Sequence, residues 1–254
     1  MNKPEHNRIR EAILDLAESV IAKEGILSLK VSDITKGLGI STTLFYSIFK
    51  TKEDILVALT CRAFDQVLGL RWWLNLEGYS GLEKFIAYIL NEIQFTETYS
   101  LRSSISTISC NRLIFNKASA TYLRNLNRLA MEYWETPIQL LSQAKEQQEI
   151  QANEVQIQQF CHLLCTYLRG RELVGNTYAG KEYSQDVRFD NARLLTQLLK
   201  ELCPGKRLNP KTLARAQQLR RELPGHRVQR QQQISNRQTA ELIPPSVIRA
   251  AVRI

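Results

Sequence analysis

The segment Val31–Glu53, VSDITKGLGISTTLFYSIFKTKE, decides the fold of this 254-residue chain. In its first half, the apolar residues Val31, Ile34 and Leu38 are spaced i, i+3 and i+7, which places them on one face of a helix. Gly39 follows at once and suits the left-handed residue that ends a helix in a tight turn. Ser41 then predicts the N-cap of a second helix. The segment is therefore predicted to form a helix, a turn and a second helix.

The predicted second helix, Thr42–Phe49, is followed by the start of a third. Thr51 and Asp54 have the spacing of a helix-capping pair, and apolar residues continue at helical spacing to about Leu76. Two helices across a short glycine turn are the geometry of a DNA-binding helix-turn-helix, whose second helix enters the major groove. An ordinary helical corner has the same spacing, so the pattern alone leaves both interpretations open.

The residues themselves favour the first interpretation. The sequence G-I-S-x-x-x-F-Y-x-x-F-x-x-K-E-D, from Gly39 to Asp54, resembles the N-terminal domain of the tetracycline-repressor (TetR) family of transcriptional regulators. The resemblance covers about Arg8–Arg62. The chain departs from the family pattern at four positions. The family usually has Thr or Ser where Lys30 stands and Ala where Thr35 and Leu38 stand, and it often has Gly or Ser where Thr43 stands.

The resemblance implies an all-α fold with three parts. Residues 7–67 would form a three-helix DNA-binding domain, with the helix-turn-helix at about 30–49. Residues 68–204 would form a helical domain for ligand binding and dimerisation. Residues 205–254 would be a basic, largely disordered, flexible tail, an addition to the family pattern.

The candidate DNA-contacting residues lie on and around the second helix. Its first turn holds Thr and Leu side chains, which can contact base edges or a thymine methyl group. The resemblance places a phosphate-binding Tyr at Tyr46 and a phosphate-binding Lys at Lys52. Phe45 and Phe49 are predicted core residues. The full predicted DNA-binding set is Lys30, Ser41, Thr42, Thr43, Leu44, Tyr46, Ser47, Lys50 and Lys52.

Further helices are predicted downstream. Ser80 and Glu83 form a capping box, and a long helix over Asn116–Gln148 is expected to break or kink at Thr136-Pro137. The resemblance makes the last two helices, Glu154–Tyr178 and Asp186–Leu202, a dimer interface. Their leucine-rich faces fit an intramolecular core equally well.

Ligand and metal sites have weaker signals. Trp72 and Trp73 are candidates for contacts to a small apolar or aromatic effector, although a Trp pair is more often core. Cys161-His162-x-x-Cys165 suggests metal binding, but no second ligand pair is near in sequence, and buried core thiols are the preferred interpretation. The five scattered cysteines suit a reducing compartment. No metal or cofactor is predicted.

The basic charge is concentrated in the tail. The formal net charge is +9, and residues 205–254 alone carry eleven Lys or Arg against two acidic residues, so residues 1–204 are neutral. Three interpretations stay open for this tail: a solvated disordered extension, an arm that holds DNA without sequence preference, or a helix that binds a partner or membrane surface. Pro210–Leu223 is predicted to form one basic amphipathic helix.

The sequence disfavours other classes of protein. It has no apolar run long enough to span a membrane, and its first residues lack the apolar segment of a secretory signal. Three dispersed histidines and the absence of glycine-rich phosphate loops argue against an enzyme. We predict a cytoplasmic, nucleoid-associated, homodimeric and ligand-responsive repressor that binds palindromic double-stranded DNA. The alternative is a ligand-independent architectural protein, of the nucleoid type, which uses the same helix-turn-helix and the basic tail.

Overall fold

The computed structural model describes residues 3–68, 75–98, 105, 111–175, 191–200, 202 and 209–222. No strand occurs in these residues, and the all-α prediction is confirmed. The helices are α1 (Lys3–Glu24), α2 (Val31–Leu38), α3 (Thr42–Ile48), α4 (Lys52–Leu68), α5 (Gly81–Thr98), α6 (Arg112–Phe115), α7 (Ala120–Glu146), α8 (Glu154–Gly175), α9 (Asn191–Leu199) and α10 (Pro210–Glu222). A 3-10 turn, Ile26–Ser28, lies between α1 and α2.

The chain divides into two compact units. In the described residues, unit 1 contains α1, α2, α3, the part of α4 up to Ala63, α6 and the part of α7 up to Arg128. Unit 2 contains the rest of α4 and α7, together with α5, α8, α9 and α10. The helices α4 and α7 therefore contribute residues to both units. The proposed domain boundaries at 67 and 204 stay predictions.

Unit 1 is built on the apolar faces of its first four helices. The side chains of Phe45 and Phe49 are fully buried, with ring centroids 6.0 Å apart. Burying an aromatic or branched aliphatic side chain stabilises a fold by about 1.5–3 kcal/mol. The other buried apolar residues of this unit include Ile13, Leu14, Ala17, Ile21, Leu29, Ile34, Ile48, Ile55, Leu56 and Leu59. The core supports α3 from behind and leaves its other face exposed.

Unit 2 is a helical layer around α5, whose apolar residues from Leu82 to Ile93 are buried. Gly81 explains how closely α5 approaches α7, since a Cβ at this position would lie 2.8 Å from the carbonyl oxygen of Leu140. The buried apolar core of this unit includes Phe85, Ile86, Ile89, Leu141, Ala144, Ile157, Phe160, Leu164, Leu195, Leu199, Ala216 and Leu219. Leu195 and Leu199, two residues of the leucine-rich last helix, therefore belong to an intramolecular core.

The N-terminus of α5 is capped by side chains from three places. Glu83 accepts a hydrogen bond from the Ser80 amide at 3.0 Å, and Ser80 Oγ accepts one from the Glu83 amide at 3.2 Å, so the predicted capping box is confirmed. The turn after α7 adds two acceptors, because Gln147 binds the Gly81 amide at 2.7 Å and Glu149 binds the Leu82 amide at 3.0 Å. These bonds satisfy amides that the first turn of a helix otherwise leaves without partners.

The predicted break at Thr136-Pro137 is wrong. The helix α7 is continuous, and Pro137 lies inside it. The Thr136 hydroxyl donates to the carbonyl oxygen of Glu132 at 3.0 Å, so Thr136 acts within the helix and does not cap a new one. Packing of α7 residues on both sides of the proline outweighs the loss of one backbone donor.

The helix α10 lies inside the range that we assigned to the disordered tail, and here the structure differs from that expectation. Ala216 and Leu219 are fully buried against unit 2. Arg215 Nε donates to Glu83 Oε1 at 2.7 Å, and the Arg215 guanidinium lies 5.0 Å from the ring centroid of Tyr79. Its amphipathic pattern was visible in the sequence, but the α5 surface that it covers was not.

Candidate nucleic-acid interface

The turn between α2 and α3 has the predicted geometry. Gly39 is left-handed, with φ 62° and ψ 29°, and its amide donates to the carbonyl oxygen of Lys36 at 3.2 Å. The Ile40 amide donates to the Thr35 carbonyl oxygen at 3.0 Å. Ser41 Oγ accepts a hydrogen bond from the Leu44 amide at 3.1 Å, which confirms Ser41 as the N-cap of α3. The two helices are thus joined by a short, fully hydrogen-bonded corner.

The helix α3 has one buried face and one exposed face. Phe45 and Phe49 are completely buried and Ile48 is 7% exposed, while Tyr46 is 51% exposed. The prediction of Phe45 and Phe49 as core residues is confirmed. The exposed face of α3 carries hydroxyl groups and the phenol, all of which can form hydrogen bonds with DNA.

Most residues of the predicted DNA-binding set are solvent-exposed. Leu44 is half-buried, and the Ser47 hydroxyl already donates to the Leu44 carbonyl oxygen at 2.7 Å. Lys30 occupies the N-cap position of α2 without a side-chain capping bond, as its chemistry predicts. The exposed members are Lys30, Ser41, Thr42, Thr43, Tyr46, Ser47, Lys50 and Lys52. Their DNA contacts stay predictions.

Asp54 is fully buried and organises the start of α4. Its Oδ2 accepts hydrogen bonds from the amides of Lys50 at 2.9 Å and Thr51 at 3.2 Å. Its own amide donates to Thr51 Oγ1 at 3.1 Å, which confirms the predicted capping pair. The carboxylate therefore fixes the backbone between α3 and α4, where Lys50 and Lys52 point into solvent.

Two residues at the start of α7 contact this region, and neither was predicted from the sequence. The Ser119 amide donates to Asp54 Oδ1 at 2.6 Å. The Tyr122 hydroxyl donates to the carbonyl oxygen of Ile48 at 3.1 Å, and its ring stacks on Phe49 with centroids 5.3 Å apart and an interplanar angle of 20°. Burial raises the pKa of the Tyr122 hydroxyl, against an opposing effect of Arg10. No short-range spacing signals contacts that join residues this far apart in the chain.

An ion-pair cluster joins α4 to α1. The Arg62 guanidinium donates to Glu11 and Asp15, each at 2.7 Å, and to Glu18 at 3.2 Å. Burial alone would lower the pKa of Arg62, but Asp15 and Glu11 outweigh it and hold that pKa above its ordinary value. The three acids lie about one turn apart on α1, so the cluster holds α1 against α4.

In the Cys161-His162-x-x-Cys165 segment, the two thiols and the imidazole lie on different sides of the helix surface, as their burial shows. Both thiols are buried in α8, whereas His162 is exposed. Burial raises the pKa of each thiol to about 12, so they stay protonated at neutral pH. In the described residues no group of three or more His, Cys, Asp or Glu side chains is arranged to hold a metal ion. Trp72 and Trp73, the effector-contact candidates, lie outside the described residues.

These features define an all-α protein with an N-terminal helix-turn-helix. Residues 13–59 match the family model described as "Bacterial regulatory proteins, tetR family". Within this segment the match confirms the resemblance that the motif indicated. The family is described as regulatory proteins, and the matched residues carry the candidate interface.

Solved structures extend the likeness over most of the fold. A tetR-family transcriptional regulator from Pectobacterium atrosepticum is similar with a TM-score of 0.58 and 17% identity, over 82% of this chain and 100% of that one. The transcriptional regulator FadR from Bacillus subtilis, in complex with stearoyl-CoA, is similar with a TM-score of 0.53 and 18% identity, over 77% and 98% of the chains. RolR, in complex with resorcinol, is similar with a TM-score of 0.54 and 14% identity, over 85% of this chain and 96% of that one.

At these identities the likeness establishes the fold alone. No curated protein matches the sequence of this chain. Among the described residues no helix is long and apolar enough to cross a membrane.

Proposed function

We propose that this protein is a sequence-specific, DNA-binding transcriptional regulator that acts as a ligand-responsive homodimeric repressor on the DNA of the cytoplasmic nucleoid. The observation that carries the proposal is the exposed face of α3. Its core-facing residues are fully buried, while Thr42, Thr43 and Tyr46 face solvent just beyond a hydrogen-bonded glycine turn. A recognition helix needs this arrangement, because its exposed first turn must enter the major groove.

The exposed residues divide into two roles. Lys30, Lys50 and Lys52 flank the two helices and suit phosphate contacts, which set the position of the protein on the duplex. Thr42 and Thr43, in the first turn of α3, suit contacts with base edges and thymine methyl groups. The fully buried Asp54 supports the phosphate contacts, since it fixes the backbone that carries Lys50 and Lys52.

A homodimer is supported by the exposed apolar surface of α8. Leu163 is 63% exposed and Val174 is 62% exposed, and the two residues are eleven positions apart, which is about three turns. Both side chains therefore lie on one side of the helix, where a second copy would remove them from water. Replacing Leu163 with Glu should give a monomer in sedimentation experiments, whereas Gln158→Glu, on the other side of α8, should not. A dimeric Leu163→Glu variant would contradict this interface.

A ligand response is supported by a polar group inside the aromatic core of unit 2. The Tyr133 hydroxyl donates to Glu92 Oε2 at 2.6 Å, and Glu92 is only 4% exposed. The rings of Phe64 and Tyr88 lie 5.2 Å and 6.2 Å from that of Tyr133. Apolar walls with a few polar groups are typical of small-molecule sites. The complexes of FadR with stearoyl-CoA and of RolR with resorcinol, two proteins of similar fold, support an organic ligand for this chain.

The test is footprinting on the DNA that flanks the gene, over a salt series, with the full chain and with residues 1–222. The shorter chain keeps α10, so unit 2 retains its buried helix. We expect both proteins to protect one inverted repeat, with a smaller salt dependence for the shorter chain because it contacts fewer phosphates. Binding by the full chain without sequence preference would instead support the architectural alternative. No binding by either protein would refute both.

A further inference from the structure

The first turn of α7 makes the contacts that hold the C-terminal end of α3. The Tyr122 hydroxyl donates to the carbonyl oxygen of Ile48, the last residue of α3, at 3.1 Å. This carbonyl belongs to the final turn of the helix, where backbone acceptors have no partner within the helix. The Tyr122 ring also covers Phe49, which is fully buried. One side chain thus binds both the backbone and the buried face at the end of α3.

Asp54 connects the same turn of α7 to the start of α4. One carboxylate oxygen binds the amides of Lys50 and Thr51, and the other binds the Ser119 amide at 2.6 Å. A buried carboxylate is tolerated when hydrogen bonds replace its water, and here three amides do so. The α3–α4 turn is therefore fixed to the residue that precedes α7.

The helix α7 makes these contacts in unit 1 and continues into unit 2. The helix is continuous from Ala120 to Glu146, and Leu140, Leu141 and Ala144 near its other end belong to the core of unit 2. Both α4 and α7 contain residues of the two units.

We infer that Tyr122 and Asp54 are positioning residues for DNA recognition, through which α7 sets the orientation of α3. This inference rests on the proposed DNA-binding function and adds the residues that position its recognition helix. Neither side chain lies on the exposed face of α3, so both act through the helix that they hold. These contacts therefore set how the first turn of α7 meets the end of α3.

The test compares Tyr122→Phe with Tyr79→Phe. Each removes one hydroxyl hydrogen bond, but the Tyr79 hydroxyl donates to Glu222 at 3.1 Å, within unit 2. Affinity is measured for the footprinted repeat and for unrelated duplex, well below the unfolding temperature. We expect Tyr122→Phe to weaken binding to the repeat by about threefold to tenfold, the value of one hydrogen bond, and to leave binding to unrelated duplex unchanged. Tyr79→Phe should change neither.

Three outcomes would overturn the inference or its basis. If Tyr122→Phe keeps the full preference for the repeat, Tyr122 is only a structural residue. If both affinities fall equally, the variant has lost general phosphate contacts and not the orientation of α3. If the unmodified protein shows no preference for any repeat, the proposed function itself fails, and this result is separate from the first two.

Discussion

At the scale of single residues, Gly39 is the position where the turn requires a left-handed backbone conformation. Its φ of 62° is left-handed, and a Cβ there would meet nothing within 4 Å, so the cost of substitution is backbone strain alone. We expect Gly39→Ala to lower the free energy of unfolding by about 1 kcal/mol. Gly39→Asn should cost less, because Asn tolerates this conformation. Urea unfolding measures both, and equal losses would contradict the strain argument.

The buried thiols give a second prediction at this scale. Because their pKa is about 12, Cys161 and Cys165 should stay unlabelled by iodoacetamide at about pH 8 in the native protein and react in urea. Labelling is read by mass spectrometry of the peptides. Rapid labelling of either residue in the native protein would show that the thiol is accessible and contradict its burial.

The same thiols should make stability depend on alkaline pH. The folded state keeps their protons up to about pH 12, whereas the unfolded chain releases them from its ordinary value of 9.0. The folded state thus binds more protons in that interval, and stability falls as pH rises, by up to about 1.4 kcal/mol per pH unit for each thiol. When the free energy of unfolding is measured in urea at several pH values, it should fall less steeply with pH for the double variant Cys161→Ala, Cys165→Ala. An unchanged dependence on pH would refute this linkage.

Residue-level features were predictable where their cause is local. Ser41 and the Thr51–Asp54 pair cap helices through residues three positions away, and the sequence spacing shows this directly. Phe45 and Phe49 lie on the apolar side of a periodic pattern. The contact of Tyr122 with Ile48 has no such signal, since it depends on how α7 meets α3. Asp54 was predicted as a cap, but its second role, towards Ser119, needed the structure.

At the scale of elements, α10 is the helix whose role changed most between sequence and structure. We expect Leu219→Ala to lower the stability of unit 2 by about 2–5 kcal/mol, because Leu219 is fully buried. Gln218→Ala, at an exposed position of the same helix, should stay within about 0.5 kcal/mol of the unmodified protein. Thermal and urea unfolding give both values. Similar small effects for the two variants would mean that α10 is not part of the core.

The helices differ in how well the sequence predicted them. The bounds of α2 and α3 were predicted within a residue, because a glycine and a serine mark their ends. The continuity of α7 through Pro137 was not predicted, because local propensity favours a break and only packing over the whole helix reverses it. The amphipathic pattern of α10 was seen, but a pattern does not reveal which surface covers its apolar side.

At the scale of the whole molecule, the charge distribution indicates which parts of the protein should contribute to DNA binding. Residues 1–204 are formally neutral, and the excess of +9 lies in residues 205–254. The exposed lysines around α3 are few, so we attribute specific affinity to two copies of the recognition helix bound together. The tail would add affinity without sequence preference. The all-α class and the family were predictable from one motif, because that motif combines apolar spacing with capping and turn residues.

The most direct test of this account is selection of bound duplexes from a random library, with the unmodified protein and with Thr43→Ala. We expect an inverted repeat whose half-sites lie about one helical turn, or a multiple of it, apart. Thr43→Ala should relax the preference at one base position in each half-site and leave the spacing unchanged, since Thr43 is exposed in the first turn of α3. Enrichment of no sequence by the unmodified protein would contradict the central claim that α3 reads DNA.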